Sequence, residues 1–247
     1  MNIDKLLENY LKTLKLDTSC EIINKIKSFL NLIYEKNKFL NLVGTKDKNS
    51  ILIRHFFDCL SIFEFFKELS KNEFINSKIL DVGTGAGLPG ILLAIILKNS
   101  TIYLLEPRVK ISNFLTSALK ELDIKNAEII LGRAEVLSHN EFFREKFNYV
   151  TARAVADVKV LSELTIPFCK IGGSIIMYKS KKLQDEILSS GEDITVLGGS
   201  IDRIMEVEVP LLNECRVFLI IKKQNSTLYK YPRKYVKILK KLPDNYR

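Results

Sequence analysis

The sequence has few of the residues that bind metal ions or form disulfides. It contains two histidines and four cysteines among 247 residues, and no two cysteines form a Cys-x-x-Cys pair. A zinc site needs clustered cysteine and histidine ligands, so we expect no bound metal. Single, scattered thiols suit a reducing compartment, and we therefore expect a cytoplasmic protein.

Long apolar runs are also missing. The longest candidate covers residues 91–97, far short of the ~20 apolar residues that cross a bilayer. The opening residues, Met-Asn-Ile-Asp-Lys, lack the apolar stretch of a secretory signal. We expect no membrane partner.

Apolar residues are nevertheless abundant enough for a buried core, at 47% of the sequence. A chain of this length forms one large α/β domain, or one domain with a small appendage. For one such domain we expect a monomer.

Positive charge is concentrated at one end. The net charge is +9, and residues 222–247 contain nine basic residues and one acid. Four tyrosines, at 229, 231, 235 and 246, lie among them. Cations interleaved with aromatic rings suit phosphate contact and base stacking in RNA, while a solvated tail is the alternative interpretation. Arg233, Lys234 and Lys237 are the candidate contacts.

Apolar periodicity near 3.6 residues predicts helices over about the first 75 residues. Strands are then predicted at 78–82, 101–105, 127–131, 147–152 and 173–178. Between and after them, helices are predicted at 89–97, 110–122, 139–146, 158–168 and beyond 180. This alternation predicts a doubly wound, mostly parallel α/β sheet. Two further strands, at 201–209 and 214–222, are predicted to close it as an antiparallel pair.

Residues 79–90, Ile-Leu-Asp-Val-Gly-Thr-Gly-Ala-Gly-Leu-Pro-Gly, predict a strand, a tight glycine turn and a helix start. Turns of this kind hold nucleotide-like cofactors. Gly85, Gly87 and Gly90 with Glu106 match the dinucleotide fingerprint of nicotinamide-dependent oxidoreductases. Asp81 instead favours S-adenosylmethionine (AdoMet), because a carboxylate attracts a cationic sulfonium and repels phosphates. A glycine turn without a ligand is the third interpretation.

Later strand ends carry further candidates, because ligands bind at the carboxyl edge of such sheets. Glu106 is predicted to accept hydrogen bonds from ribose hydroxyls. Ala134 and Glu135 could frame an adenine ring. Arg153 could meet a cofactor carboxylate or a substrate phosphate, or form a salt bridge within the domain.

Arg54, His55 and Asp58 precede the sheet. His55 and Asp58 are three residues apart and so share one face of a helix. An imidazole oriented by Asp58 could serve as a polar contact or a base. A structural hydrogen bond between the N-terminal helices is the alternative.

With these residues in hand, the chain resembles the glucose-inhibited division protein B family, the ribosomal RNA small-subunit methyltransferase G enzymes. The resemblance covers most of the chain. It rests on Asn41-Leu-Val, His55-x-x-Asp58, the glycine motif 81–90, Arg133-Ala-Glu135, Arg153-Ala154, Tyr178-Lys179 and Tyr231-Pro-Arg-Lys234. The chain departs from the family pattern at Cys59, Ala152, Ser180 and Val217, and these departures bear on RNA positioning around Lys179 and Arg216.

The resemblance implies a Rossmann-like class I AdoMet-dependent methyltransferase with a seven-stranded sheet. We expect a helical extension over 1–75, a catalytic domain over 76–223 and a basic tail over 224–247. The implied cofactor contacts are Gly83, Leu88, Ala134, Glu135 and Arg153, with Gly85 and Glu106 as additions.

The implied reaction is methylation of N7 of a guanine in 16S ribosomal RNA, with that RNA or the small subunit as partner. Because N7 carries an exposed lone pair, the reaction needs positioning rather than a general base, and we assign no catalytic residue. Arg153, Lys179 and Arg216, with the tail, are expected to hold the RNA. Arg54, His55 and Asp58 are further candidate RNA contacts. Besides the oxidoreductase, a non-catalytic RNA-binding or assembly protein with this fold is the remaining alternative.

Overall fold

Seven strands form one mixed sheet in the computed structural model, which describes residues 3–69, 75–153, 156–180 and 183–239. The strands lie in the order β3-β2-β1-β4-β5-β7-β6. Neighbours among β1–β5 are parallel, and β7 is antiparallel to both β5 and β6. The strands are β1 (Lys78–Val82), β2 (Thr101–Glu106), β3 (Ala127–Leu131), β4 (Phe147–Arg153), β5 (Cys169–Ser180), β6 (Gly199–Val207) and β7 (Arg216–Lys223). The predicted α/β sheet with an antiparallel finish is confirmed.

Helices cover both faces of the sheet. Before it come α1 (Ile3–Thr13), α2 (Cys20–Leu40), α3 (Lys48–Ile51), a π-helical turn (Leu52–Phe57), α4 (Asp58–Leu60) and α5 (Phe63–Glu68). Within and after it come α6 (Gly90–Ile96), α7 (Val109–Glu121), α8 (Ala134–Leu137), α9 (Val158–Thr165), a 3₁₀ turn (Ile166–Phe168), α10 (Leu183–Val196) and α11 (Tyr235–Ile238). Cover on both faces explains why the central strands read as nearly continuous apolar runs.

Two apolar clusters lie on the two faces of the sheet. One joins the N-terminal helices to α6 and α7, with Phe29, Phe56 and Phe57 fully buried. The other joins α9, β4, β5 and β7 to residues near the C-terminus. The N-terminal helices therefore bury their apolar faces against the helices of the sheet rather than forming a separate core.

The chain leaves α2 through a turn built by one buried amide. Asn41 ends the helix in the left-handed conformation, at φ 48°. The side chain of Asn37 accepts from the Val43 backbone N–H at 2.9 Å and donates to the Thr45 carbonyl at 2.8 Å. These bonds satisfy backbone groups of the turn that follows the helix and direct the chain into α3, which leads to Arg54, His55 and Asp58.

One predicted element is wrong. The polar helix expected over 139–146 is absent; α8 ends at Leu137 and turns follow. The Asn140 side chain accepts from the Phe142 N–H at 2.9 Å, and Glu145 has a φ of 53°. Asparagine side chains compete with helical hydrogen bonds in this way, so the segment folds as successive turns.

The predicted basic tail begins as packed structure. Tyr231 is 2% exposed and Ile238 is fully buried. Lys223 is also fully buried, with its ammonium 3.2 Å from the carboxylate of Glu145. Residues 224–239 thus lie against the domain, and positions 240–247, with Tyr246, fall outside the described residues.

Candidate active site

The turn after β1 leaves its backbone open on one side. Gly83, Gly85 and Gly87 have φ values of 69°, 55° and 85°, in the left-handed region that glycine adopts without strain. The N–H groups of Gly83 and Thr84 donate to the Leu105 carbonyl at 2.9 and 3.1 Å, which ties the turn to β2. A Cβ placed on Gly85 would find no atom nearer than 3.9 Å. A ligand can therefore approach the backbone there.

The buried carboxylate of Asp81 stabilises this turn from the protein interior. It accepts from the Thr84 hydroxyl at 2.6 Å, the Gly90 N–H at 2.9 Å and the Thr151 hydroxyl at 3.1 Å. Burial raises its pKa to about 6 even though these bonds act to lower it. The hypothesis that Asp81 meets a cationic cofactor is therefore replaced by a structural role, since its acceptors already serve the turn and β4.

Glu106 ends β2 beside the turn, as predicted. Its side chain is 2% exposed and accepts from the Gly85 N–H at 3.1 Å and from the Arg108 N–H at 3.0 Å. The Arg108 guanidinium also donates to it, with Nε at 2.7 Å. Arg108 was not among the predicted residues, although its position two residues after Glu106 is the sequence signal for such a pairing.

The segment after β3 also pairs a nearly buried glutamate with an arginine close to it in sequence. Ala134 is 8% exposed at the start of α8, and the neighbouring Glu135 side chain is 9% exposed. The Arg133 Nε lies 2.5 Å from a carboxylate oxygen of Glu135. Each predicted cofactor-binding acid is thus accompanied by an arginine two residues away, which offsets part of its negative charge.

Strand register brings these residues to one edge. Val82 is paired with Leu105, and Glu106 with Leu131. The ends of three neighbouring strands therefore present Gly83, Glu106 and the loop before Ala134 side by side. Leu88, 5% exposed, lies in the turn itself. An open turn flanked by two buried carboxylates fits the shape and hydrogen-bonding groups of AdoMet: a ribose with hydroxyl donors and an adenine with an exocyclic amine.

A cavity lies at the ends of β4 and β5. Its volume is about 250 Å³, and it is lined by Asp58, Arg153, Ala156, Tyr178, Lys179, Ser180 and Arg216. At its centre, the two oxygens of Asp58 accept from Arg153 Nε at 2.8 Å and from Arg216 Nε at 3.0 Å. Because the Asp58 side chain is 5% exposed, this paired carboxylate fixes both guanidinium groups.

Arg153 therefore forms a salt bridge within the domain, which was the alternative to a ligand contact in the sequence analysis. It also donates to the Arg54 carbonyl at 3.0 Å, and its side chain is 14% exposed. Its position at the end of β4, which pairs with β1, keeps it next to the glycine turn. The predicted cofactor contact from Arg153 stays a prediction.

His55 is not oriented by Asp58, whose carboxylate is engaged by the two arginines. The Arg153 guanidinium donates to His55 Nδ1 at 3.1 Å, so the proton of the neutral ring lies on Nε2. Burial, followed by the charge of Arg153, lowers the pKa of His55 to about 4. The ring is uncharged near neutral pH and accepts a hydrogen bond.

Replacing His55 by glutamine is expected to change how stability depends on pH. The unfolded chain protonates His55 near pH 6.5, whereas the folded chain resists protonation until about pH 4. Wild-type stability should therefore fall as the pH falls through this window. Between pH 7.5 and 5, the variant should gain about 2 kcal/mol relative to wild type. Urea unfolding at the two pH values measures this, and an unchanged difference would contradict a neutral, partly buried His55.

The remaining predicted RNA contacts differ in how exposed their side chains are and in whether an acidic partner holds them. The side chain of Arg54 is 59% exposed, and Lys234 and Lys237 are exposed. The Lys179 side chain is 9% exposed and donates to Glu186 at 2.7 Å. Arg233 is held by Glu163, with its Nη2 at 2.7 Å. Arg233 is therefore an internal anchor in this structure rather than part of a free cationic surface.

Within the described residues, no helix is long and apolar enough to cross a membrane. The same part of the chain holds no group of three or more histidine, cysteine or acidic side chains that could bind a metal.

The strand order, the glycine turn and the acid at the end of β2 define a class I AdoMet-dependent methyltransferase. A family model described as GidB, rRNA small subunit methyltransferase G, matches residues 22–213. The chain belongs to this family.

Relatives that carry this name match almost the whole chain. Ribosomal RNA small subunit methyltransferase G of Caldicellulosiruptor bescii is 34% identical over 239 residues, covering 97% of this chain and 98% of the relative. The protein of the same name from Clostridium tetani is 38% identical over 223 residues, covering 88% and 90%. That of Clostridium botulinum strain Kyoto is 36% identical over 243 residues, covering 98% and 99%.

Proposed function

We propose that this protein methylates N7 of a guanine in the 16S RNA of the small ribosomal subunit. Family membership supports an AdoMet-dependent ribosomal RNA methyltransferase. The observation that carries the proposal is the cation-lined cavity of Asp58, Arg153, Lys179 and Arg216 directly beside the glycine turn. Cofactor and RNA would then meet at one edge of the sheet.

AdoMet supplies an electrophilic methyl group on a sulfonium. Bound beside the glycine turn, AdoMet would give this methyl group to guanine N7 and be released as S-adenosylhomocysteine. No proton is removed first, because the N7 lone pair lies free in the ring plane. The chain's part is to orient the two reactants and exclude water. The neutral His55, with Nδ1 already occupied, is consistent with a reaction that uses no general base.

Residues around the turn would bind the cofactor. Glu106 would accept from the ribose hydroxyls, displacing part of its contact with Arg108. Ala134 and Glu135 would hold the adenine, and Gly83, Gly85 and Leu88 would give close backbone contact. Arg153 would reach the amino-acid end of AdoMet or the RNA from the adjoining strand.

The RNA would lie across the cavity and the exposed basic residues. Arg153 and Arg216 already share one carboxylate, and Arg216 also lies 2.9 Å from Glu214. Both guanidinium groups line the cavity, and their shared bonds to Asp58 hold them as a fixed pair rather than as flexible side chains. The target guanine should be unstacked, since the major groove of an A-form helix is too deep and narrow for N7 to be reached. We also propose a monomer that acts in the cytoplasm, where ribosomal subunits mature.

Transfer of labelled methyl from AdoMet to small subunits tests the function directly. We expect label in 16S RNA, and mass mapping should place it on one guanine as an N7-methyl group. Tight binding of NAD(P)H without binding of AdoMet would instead identify an oxidoreductase. Binding of RNA and AdoMet without any transfer would identify a non-catalytic assembly protein.

A charge-reversal experiment tests the basic residues near the C-terminus. In the Lys234→Glu, Lys237→Glu double variant, we expect RNA binding to weaken about tenfold at physiological salt, because two phosphate contacts are lost. The salt dependence of log K should fall by about two in slope. The KM for RNA should rise, and kcat should change little.

Its matched control reverses two exposed lysines on the opposite edge of the sheet. Lys78 begins β1 and Lys120 lies in the last turn of α7, so both face away from the cofactor edge. Lys78→Glu, Lys120→Glu changes net charge equally and should leave RNA affinity near that of wild type. Equal losses in both double variants would mean that overall charge, not this surface, governs binding.

A further inference from the structure

The C-terminal strap, defined here as residues 224–239, returns across the domain after β7. Its apolar side chains are inserted into the core: Tyr231 and Ile238 are buried in the same cluster as Ala134. Tyr235 packs against that cluster as well. The strap therefore packs into the same apolar cluster as Ala134, which begins α8.

Two basic side chains from the β3–β4 connection fasten the strap. The Arg144 guanidinium donates to the carbonyls of Thr227 at 2.7 Å, Leu228 at 3.1 Å and Tyr231 at 2.9 Å. His139 Nε2 donates to the Pro232 carbonyl at 2.8 Å. One guanidinium that satisfies three carbonyls within five residues of the strap leaves little freedom in the backbone.

A buried ion pair fixes the strap at its centre. Arg233 donates through its backbone N–H and its guanidinium to Glu163 of α9, at 2.6 and 2.7 Å. The Glu163 side chain is 4% exposed. The two residues that follow, Lys234 and Tyr235, are thereby held at a defined place and orientation.

Tyr235 then meets the cofactor side. The Cζ of Arg133 lies 5.0 Å from the centre of the Tyr235 ring, within the range of a cation–π contact. The same Arg133 donates to Glu135 at 2.5 Å. A chain of contacts thus runs from the strap through Arg133 to the carboxylate proposed to hold adenine.

We propose that Tyr235 is a positioning residue for the cofactor, which sets the orientation of Glu135 through Arg133. The inference rests on the proposed function, because it assigns Glu135 to the AdoMet site. Lys234 and Lys237 flank Tyr235 on the exposed side of the strap. RNA phosphates bound there immobilise Tyr235, so RNA and AdoMet strengthen each other's binding, and this coupling is reciprocal.

Titration calorimetry on the full chain, without RNA, tests whether Tyr235 contributes to AdoMet affinity. Tyr235→Ala should raise the AdoMet Kd about two- to fivefold, as expected for loss of one partly exposed cation–π contact. Tyr235→Phe keeps the ring face and should restore wild-type affinity. The KM for AdoMet should rise in Tyr235→Ala, while kcat stays near that of wild type because the reacting atoms are untouched.

Tyr229→Ala is the matched control. Tyr229 lies on the same strap with its ring 5.5 Å from the Arg144 Cζ, but it does not contact Arg133. This variant should leave the AdoMet Kd unchanged in the absence of RNA. Equal weakening in both alanine variants would show that the strap acts only through general stability and would overturn the proposal.

The coupling is measured with sinefungin, an unreactive AdoMet analogue, and small subunits from cells that lack the protein. Subunits should tighten sinefungin binding to wild type and not to Tyr235→Ala. Should Tyr235→Ala not fold, Arg133→Lys tests the same link from its other end and should also abolish the tightening. If a folded Tyr235→Ala or Arg133→Lys variant kept wild-type affinity and coupling, the proposal for Tyr235 would be wrong and the proposed function would stand. If the wild-type protein did not bind AdoMet, the proposed function itself would be wrong.

Discussion

Replacing Glu106 by alanine is expected to lower AdoMet affinity about 100-fold or more. Under the proposed function the carboxylate would accept two ribose hydroxyl hydrogen bonds, and each bond to a charged acceptor contributes about 1.5–3 kcal/mol. Glu106→Gln keeps the shape but only one acceptor oxygen, so a smaller loss of about tenfold is expected. Calorimetry with AdoMet and with S-adenosylhomocysteine gives both values.

The control is Glu128→Ala on the neighbouring strand β3, where the glutamate is exposed. It should bind AdoMet as wild type does. Because Glu106 also accepts from the Gly85 N–H, thermal unfolding of each variant separates loss of the turn from loss of the ribose contact. A folded Glu106→Ala protein with unchanged AdoMet affinity would remove Glu106 from the cofactor site.

Gly90→Ala is expected to destabilise the protein by about 3 kcal/mol, the upper end of ordinary overpacking. A Cβ at this position would lie 2.1 Å from Leu104 Cδ2 and 2.9 Å from Asp81 Oδ2. To admit it, the fully buried Leu104 side chain must move within the core and the Asp81 carboxylate, which accepts from the Gly90 N–H, must be displaced. For a chain of this length the midpoint of thermal unfolding should fall by about 6–12 °C, and AdoMet binding should weaken with it.

Gly191→Ala is the matched control, and we expect it to change stability in the opposite direction. Gly191 lies within α10, and a Cβ there would meet nothing within 4 Å. Alanine in a helix interior is favoured over glycine by about 0.5–1 kcal/mol, so this variant should be slightly more stable than wild type. If Gly90→Ala instead unfolded at the wild-type midpoint, the tight contact between the turn, Asp81 and Leu104 would be wrong.

The glycine turn shows how far sequence reasoning reached at the site. The turn, the strand before it and the acid 21 residues later are local patterns, and the structure places them together. The role of Asp81 was mistaken because its partner Thr151 lies 70 residues away, on a strand whose position depends on the topology of the sheet. An acid beside a glycine turn looks the same in sequence whether it faces a ligand or the protein interior.

The charges near the C-terminus were harder to interpret. Counting treats each lysine and arginine as solvated, yet Lys223 and Arg233 are paired with Glu145 and Glu163. Nothing near Arg233 in sequence indicates its partner 70 residues earlier. The apolar positions Tyr231 and Ile238 were the available signal that this segment packs against the domain.

The sequence by itself determined the succession of strands and helices along the chain, the antiparallel finish, the glycine turn, the acid that ends β2 and the acid that follows β3. These depend on periodicity and on turn chemistry, which act over a few residues. Only the tertiary structure decided which charges are neutralised. Asp58 meets Arg153 and Arg216 across 95 and 158 residues, and the strap meets Arg133 through Tyr235. These partners depend on which strand ends and loops lie together in the folded sheet. The residues next to a charged side chain in sequence do not indicate which distant residue it will contact.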